Sequence, residues 1–279
     1  MFENVEFKGT FRSYQQKILD GAENYLSDGK INVVAAPGSG KTVLGLELIR
    51  RLCKPCIVLS PTTTVRDQWG ERFKESFVKD GDDTAYVSFD LKNLADITSV
   101  TYQSLYAAIE RAECDGEDYS GLDLFKAVKD KGVGVLCLDE AHHLQNEWQR
   151  ALEKFVAFFD GDVKIISLTA TPPYDATAGE WKRYVDVCGE IDEEIFVPEL
   201  VEQGTLCPHQ DYVWFTFPTK EEAKDFGDFS ARVDKVIKQL KSHPAILSAC
   251  KTVNMRTADK SGWLDGNYAE VIACMQFFR

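Results

Sequence analysis

The sequence predicts an α/β protein with a doubly wound, mainly parallel sheet. Three observations carry this. Short apolar runs alternate with longer helical ones up to about residue 200. Several of those runs, "CIVLS" and "VGVLCLD" among them, lack polar alternation, which marks strands covered on both faces. Strand–helix–strand repetition then favours right-handed crossovers between parallel neighbours.

Along the chain, strands are expected at 31–36 ("INVVAA"), 56–60 ("CIVLS"), 85–89 ("AYVSF"), 97–102 ("ITSVTY"), 133–139 ("VGVLCLD") and 163–170 ("VKIISLTA"). "GKTVLGLELIRRL" should form a helix after the first strand and "TTVRDQWGERFKESFV" after the second. "QSLYAAIERA", "LDLFKAVKD" and "EWQRALEKFVAFF" read as later helices. The alternation stops around 190–208. "DYVWFTF" (211–217) reads as one more strand, and 220–242 and 268–278 as helices. The expected organisation is a domain over 1–205 followed by a strand-plus-helices extension over 206–279.

A chain of 279 residues suits one large domain with an appendage. Hydrophobic content of 44% with 28% charged residues is ordinary for a folded protein. No apolar stretch approaches the ~18–20 residues of a membrane span. "MFENVEFKGT" has neither the basic nor the apolar region of a signal peptide. The expectation is a cytoplasmic protein with no membrane partner. Most of the eight cysteines, such as Cys137 and Cys274, lie in apolar company, as reduced thiols do. Cys53 and Cys56 form one C-x-x-C, and no second pair follows at zinc-site spacing. Net charge is −13. Residues 203–279 hold ten Lys/Arg and nine Asp/Glu, so 1–202 carry about −14. That bias opposes an unaided grip on a phosphate backbone.

"VVAAPGSGKTVLGLEL" joins a buried strand to a helix through a turn made by Pro37, Gly38, Ser39 and Gly40. It matches the P-loop, G-x-x-x-x-G-K-[ST], with Ala35 in place of the first glycine. Glycines let backbone N–H groups face phosphate oxygens, and the helix N-terminus adds partial positive charge. Lys41 should reach the β- and γ-phosphates, and the Thr42 hydroxyl should bind Mg²⁺.

"VLCLDEAHHL" ends an apolar run on Asp139 and Glu140, then offers His142 and His143. A metal hydrolase and a nucleotide hydrolase both use such residues. Neighbouring histidines cannot share one helix face, whereas H-E-x-x-H places its ligands at i and i+4. Beside a P-loop, Asp139 would hold Mg²⁺ and Glu140 would orient and deprotonate the attacking water. Lys41, Asp139 and Glu140 form the expected catalytic set, and His142 would link the nucleotide site to the next motif.

"DEAH" after one apolar strand and "SLTATPP" after the next resemble the first motor domain of superfamily 2 helicases and translocases, over roughly residues 10–205. The resemblance implies a RecA-like domain. "FRSYQQKIL" is similar to the family's adenine-reading segment. Gln15 would then bond the adenine with Arg12 nearby, and Gln16 is the alternative reader. That implies ATP with Mg²⁺. "SPTTTVRDQW" resembles motif Ia, which offers Thr62, Thr63 and Arg66 to a nucleic-acid backbone. "SVTYQSL" resembles motif Ib, with Thr101 and Gln103. The threonines would equally serve as helix caps. Thr169 and Thr171 of "TATP" resemble motif III, which couples the DEAH segment to the nucleic-acid side.

Such motors carry a second RecA-like domain that delivers arginines from a Q-x-x-G-R-x-x-R-like segment, and this sequence holds no such segment. The resemblance therefore implies a DNA (or RNA) motor whose other half comes from a full-length chain or a partner subunit. Alone, it would bind ATP with little turnover. The restriction-enzyme and repair-helicase branch looks nearest, which favours DNA. The alternative is a P-loop switch or assembly ATPase acting on a protein partner, for which an acidic surface is natural.

Overall fold

The computed structural model describes residues 2, 5–82, 84–114, 116–141, 146–208, 212–213 and 216–248. The chain divides into two compact units, Met1–His209 and Gln210–Arg279. In the first unit, α1 (Ser13–Tyr25) leads into β1 (Lys30–Ala35), α2 (Lys41–Leu52), β2 (Cys56–Ser60) and α3 (Thr63–Ser76). Then come β3 (Val87–Ser88), β4 (Ile97–Thr101), α4 (Tyr102–Glu110), a small hairpin of β5 (Glu113–Cys114) and β6 (Glu117–Asp118), and α5 (Leu124–Lys131). β7 (Val135–Asp139), α6 (Asn146–Phe158), β8 (Lys164–Thr169), α7 (Ala178–Cys188), β9 (Glu193–Ile195) and α8 (Val197–Glu202) complete it.

Seven strands form one sheet in the order β3-β4-β2-β7-β8-β1-β9, every neighbouring pair parallel. The unbroken apolar runs have their physical reason here, because β2, β4 and β7 are buried along their whole length. Alternate residues feed two separate cores. Cys56 and Val58 of β2, with Val135 and Cys137 of β7, pack under α1, α2 and α3. Ile57, Leu59, Leu136 and Leu138 pack under α4, α5, α6 and α7. By this alternation Asp139 belongs to the α2/α3 side. Parallel order also gathers every carboxyl end at one edge of the sheet, where open α/β folds bind ligands.

Two close approaches fix the first layer. A Cβ on Gly45 of α2 would lie 2.6 Å from Trp69 Cη2 and 2.7 Å from Leu168 Cδ1. Glycine thus lets α2 settle against α3 and β8. Glu47, almost fully buried on α2, accepts hydrogen bonds from Arg50 and Arg51, and Arg51 also donates to the Leu19 carbonyl of α1. Burial pushes the Glu47 carboxyl up, but the two guanidinium groups outweigh it and hold the carboxyl below the usual glutamate range. Glu47→Gln is expected to cost about 2 kcal/mol, because it leaves two arginines poorly paired beside the core. The deficit, read from chemical denaturation, should be full above the ordinary glutamate value of 4.5. It should fade as pH falls through the depressed native value.

The structure also supplies elements that periodicity did not mark. β9 is a short acidic segment on the sheet edge beside β1, and α7 and α8 flank it. The strand expected over 211–217 is not formed at Tyr212, Val213, Thr216 or Phe217, the residues of it that are described. In the second unit, α9 (Lys220–Ser242) is capped by Thr219, whose hydroxyl accepts from the Glu222 N–H. The helix expected at 268–278 lies outside the described residues. No helix among the described residues is long and apolar enough to cross a membrane.

Candidate active site

The site is assembled at the carboxyl edge from β1, β7 and β8. The turn after β1 places Ser39 inside the protein and Lys41 at the start of α2. Gly40 caps α2 with φ +84°, and a Cβ there would lie 2.6 Å from Gln15 Nε2. Only glycine accommodates both demands. Three side chains from the start of α1 hold the loop by its carbonyls. Arg12 Nη1 donates to the Gly38 carbonyl at 3.0 Å, Tyr14 Oη to Ser39 at 2.6 Å and Gln15 Nε2 to Gly40 at 3.2 Å. Gln15 Oε1 accepts from the Arg12 N–H at 2.9 Å. Gln15 is therefore buried against the P-loop, while Gln16 is exposed and donates to Asp20. Pro37 and Gly38 are exposed, and Thr42 is half-buried on the first turn of α2.

Lys41 Nζ lies 2.5 Å from Glu140 Oε1. The other oxygen of Glu140 accepts from Thr169 Oγ1 at 2.8 Å and from the Ala170 N–H at 3.0 Å. The Thr171 N–H donates to Thr169 Oγ1 at 3.2 Å. Burial works to raise the Glu140 pKa, but these donors, Lys41 foremost, hold the carboxyl below the usual glutamate range. Its backbone sits at φ +54°, a left-handed conformation that costs about 1–2 kcal/mol outside glycine. Such strain gathers at functional sites. Asp139 stands next to it, 7% exposed, with Oδ2 accepting from Trp69 Nε1 at 2.8 Å. Burial pushes the Asp139 carboxyl up to about 6 against the opposing pull of the Trp69 bond. His142 lies outside the described residues, as does His143.

These residues fit a magnesium-bound triphosphate. Ser39 Oγ is a buried polar atom in the turn with no hydrogen-bond partner among the described residues. The first turn of α2 leaves N–H groups without intrahelical partners. Lys41 supplies a cation, Thr42 a hydroxyl and Asp139 a carboxylate. Among the described residues no cluster of His, Cys, Asp and Glu forms a separate metal site.

The motif Ia and Ib residues lie elsewhere on the same edge. Thr62 and Thr63 are exposed, and Thr62 caps α3 by accepting from the Val65 N–H. Arg66 pairs with Asp67 at 2.8 Å and lies over the Phe89 ring at 5.4 Å. Thr101 is buried and caps α4 through the Ser104 N–H at 3.0 Å, while Gln103 is exposed. Tyr14, Trp69 and Tyr102 were not singled out in the sequence, though all three touch the site. Each sits in a helix where an aromatic residue reads as ordinary core, and only the polar tips distinguish them.

A parallel sheet with a P-loop lysine paired to a strand-end carboxylate, and a TATP turn bonded to that carboxylate, defines a RecA-like motor domain of the superfamily 2 helicases and translocases. The chain belongs to the family described as type III restriction enzyme, res subunit, whose profile matches residues 8–174. Two curated relatives agree with the class. One is a putative DNA 3'-5' helicase Rad25 of Halobacterium salinarum, 29% identical over 147 residues, 52% of this chain. The other is the DNA 3'-5' translocase XPB2 of Sulfurisphaera tokodaii, 26% identical over 205 residues, 71% of this chain. The chain spans 22% and 39% of their lengths. Among solved structures, the Hef helicase domain of Pyrococcus furiosus shares the fold with a TM-score of 0.50 and 18% identity. The match covers 96% of this chain and 57% of that one.

Proposed function

We propose that this chain binds Mg·ATP and uses its hydrolysis to drive movement along DNA, or its unwinding, with a second RecA-like domain completing the site. The single observation that carries this is the Lys41–Glu140–Thr169 constellation beside Asp139. Lys41 pairs with Glu140, Thr169 tethers that carboxylate, and Asp139 is its chain neighbour, which supports reading them as a cation, a base and a metal acid of one site. In this reading Arg12 and Gln15 position the P-loop and the adenine side of the site, and Gly38 to Gly40 offer backbone N–H groups to phosphate oxygens. Lys41 would turn from Glu140 to phosphate oxygens, and the Glu140 carboxylate would take a proton from water. Thr169 and Ala170 keep one oxygen of that carboxylate fixed, so the base points one way. Asp139 and the Thr42 hydroxyl would hold Mg²⁺, which when bound would supply positive charge to the phosphate oxygens. Thr171 and His142 are assigned the coupling role between the nucleotide site and nucleic acid.

Thr62, Thr63, Arg66 and Gln103 stand at the ends of α3 and α4, where they are offered to a phosphate backbone; Thr101 supports them from inside as a cap. Contacts of this kind position a strand without reading its sequence. DNA is favoured because the two relatives above are a putative DNA helicase and a DNA translocase. The domain over 1–205 is the motor half, and 206–279 leads toward the partner domain. Cys56, Cys137 and Cys188 are buried thiols outside any disulfide, which fits a reducing cytoplasm.

The acidic bias of 1–202 and the Arg66–Asp67 pair favour a second reading, a P-loop switch acting on a protein. Changing Thr62 and Arg66 together to alanine separates the two. The motor predicts loss of DNA binding, measured by fluorescence anisotropy with the partner domain present, at unchanged ATP affinity. Unchanged DNA binding would favour the switch. Loss of the Thr62 cap alone should cost about 1 kcal/mol of stability, which a melting curve controls.

A further inference from the structure

Asp139 is held from both faces of the sheet by aromatic side chains. Trp69 of α3 belongs to the core beneath α1, α2 and α3, is 1% exposed and donates its indole N–H to Asp139 Oδ2 at 2.8 Å. Tyr102 opens α4, belongs to the opposite core, is 2% exposed and donates its hydroxyl to the Asp139 main-chain carbonyl at 3.2 Å. The Trp69 ring also abuts Gly45 of the P-loop helix, where a Cβ would meet it at 2.6 Å. One carboxylate oxygen and the backbone carbonyl of Asp139 are thereby fixed, which sets the direction of the remaining oxygen. Glu140 has different anchors, Thr169 and Ala170. The two acids are thus aimed by separate parts of the protein.

We propose that Trp69 and Tyr102 are positioning residues for magnesium, tying the helices that begin at the motif Ia and Ib turns to the metal-binding acid. The proposal rests on the reading of Asp139 as a magnesium ligand. Partners behind a metal ligand govern metal affinity because they fix its orientation before the ion arrives. A buried indole N–H also needs an acceptor for stability alone. The test must therefore read metal, not folding.

The experiment is a titration of Mg²⁺ into the full chain with a fluorescent ATP analogue, in wild type, Trp69→Phe and Tyr102→Phe, alongside melting curves. In each variant the Mg²⁺ midpoint should rise, by on the order of tenfold for Trp69→Phe. Affinity for the analogue in EDTA should stay as in wild type. Tyr102→Phe removes a single oxygen and decides the matter if Trp69→Phe does not fold. An unchanged midpoint in a folded variant overturns the proposal. Absence of any Mg²⁺-dependent binding by the wild-type chain overturns instead the nucleotide reading on which it stands.

Discussion

The purified 279-residue chain should bind Mg·ATP but turn it over far more slowly than ~1 s⁻¹, with little stimulation by DNA. The reason is electrostatic. Charge on the transferring phosphoryl group needs neutralising from the side opposite the P-loop. An arginine delivered there is worth ~10³–10⁵ in kcat, or roughly 4–7 kcal/mol at ~1.4 kcal/mol per decade. The sequence contains no paired-arginine motif of that kind. In the proposed reading Lys41 and Asp139 would act from one side only. Steady-state phosphate release, with and without DNA, measures this directly. A rate near ~1 s⁻¹ or above would mean that residues of this chain supply the missing charge.

The second large effect is a stability gain from removing the acid proposed to hold magnesium. Burial raises the Asp139 pKa to about 6 from an ordinary 3.8. In the magnesium-free protein the native state therefore holds a proton that the unfolded chain releases between those values. Native stability is then higher at low pH and falls as pH rises through about 6. Above that point, ionised Asp139 costs about 2–3 kcal/mol relative to a neutral side chain. Asp139→Asn should keep an acceptor for Trp69 and raise the melting temperature at pH 8 in EDTA by several degrees. The gain should vanish near pH 4, where both forms are neutral, and Mg²⁺-dependent nucleotide binding should be lost. Stability and function are opposed at such a position. Equal melting of variant and wild type at pH 8 would show that the buried carboxylate is already compensated.

Most of the sheet was legible because its strands are buried on both sides, so that "CIVLS" and "VLCLD" had no polar residues to confuse them. The P-loop was legible because phosphate chemistry restricts which residues fit the turn. β9 was not, because a three-residue acidic strand on an edge needs little apolar surface. At Tyr212, Val213, Thr216 and Phe217 the expected strand is not formed, since apolar content alone does not supply a neighbouring strand. Within the candidate site, sequence joins Lys41 to Asp139 and Glu140 only through what a P-loop requires chemically; the fold brings Lys41 within reach of Glu140. Trp69 was invisible as a polar group. Helical spacing places it in a core, which is where it lies, and its hydrogen bond depends on β7 ending one residue beyond the core layer.

β9 closes the open flank of the P-loop strand, pairing Val33, Val34 and Ala35 with residues 193–195. It lies well past residue 174, where the family match ends. Glu193 there also reaches back to Lys17 and Tyr25 of α1. A truncation designed around the motifs alone would bare a raw strand edge directly under the phosphate turn, inviting intermolecular pairing and precipitation. The compact unit, Met1–His209, thus outruns the segment that carries the recognisable motifs, and expression boundaries belong after α8.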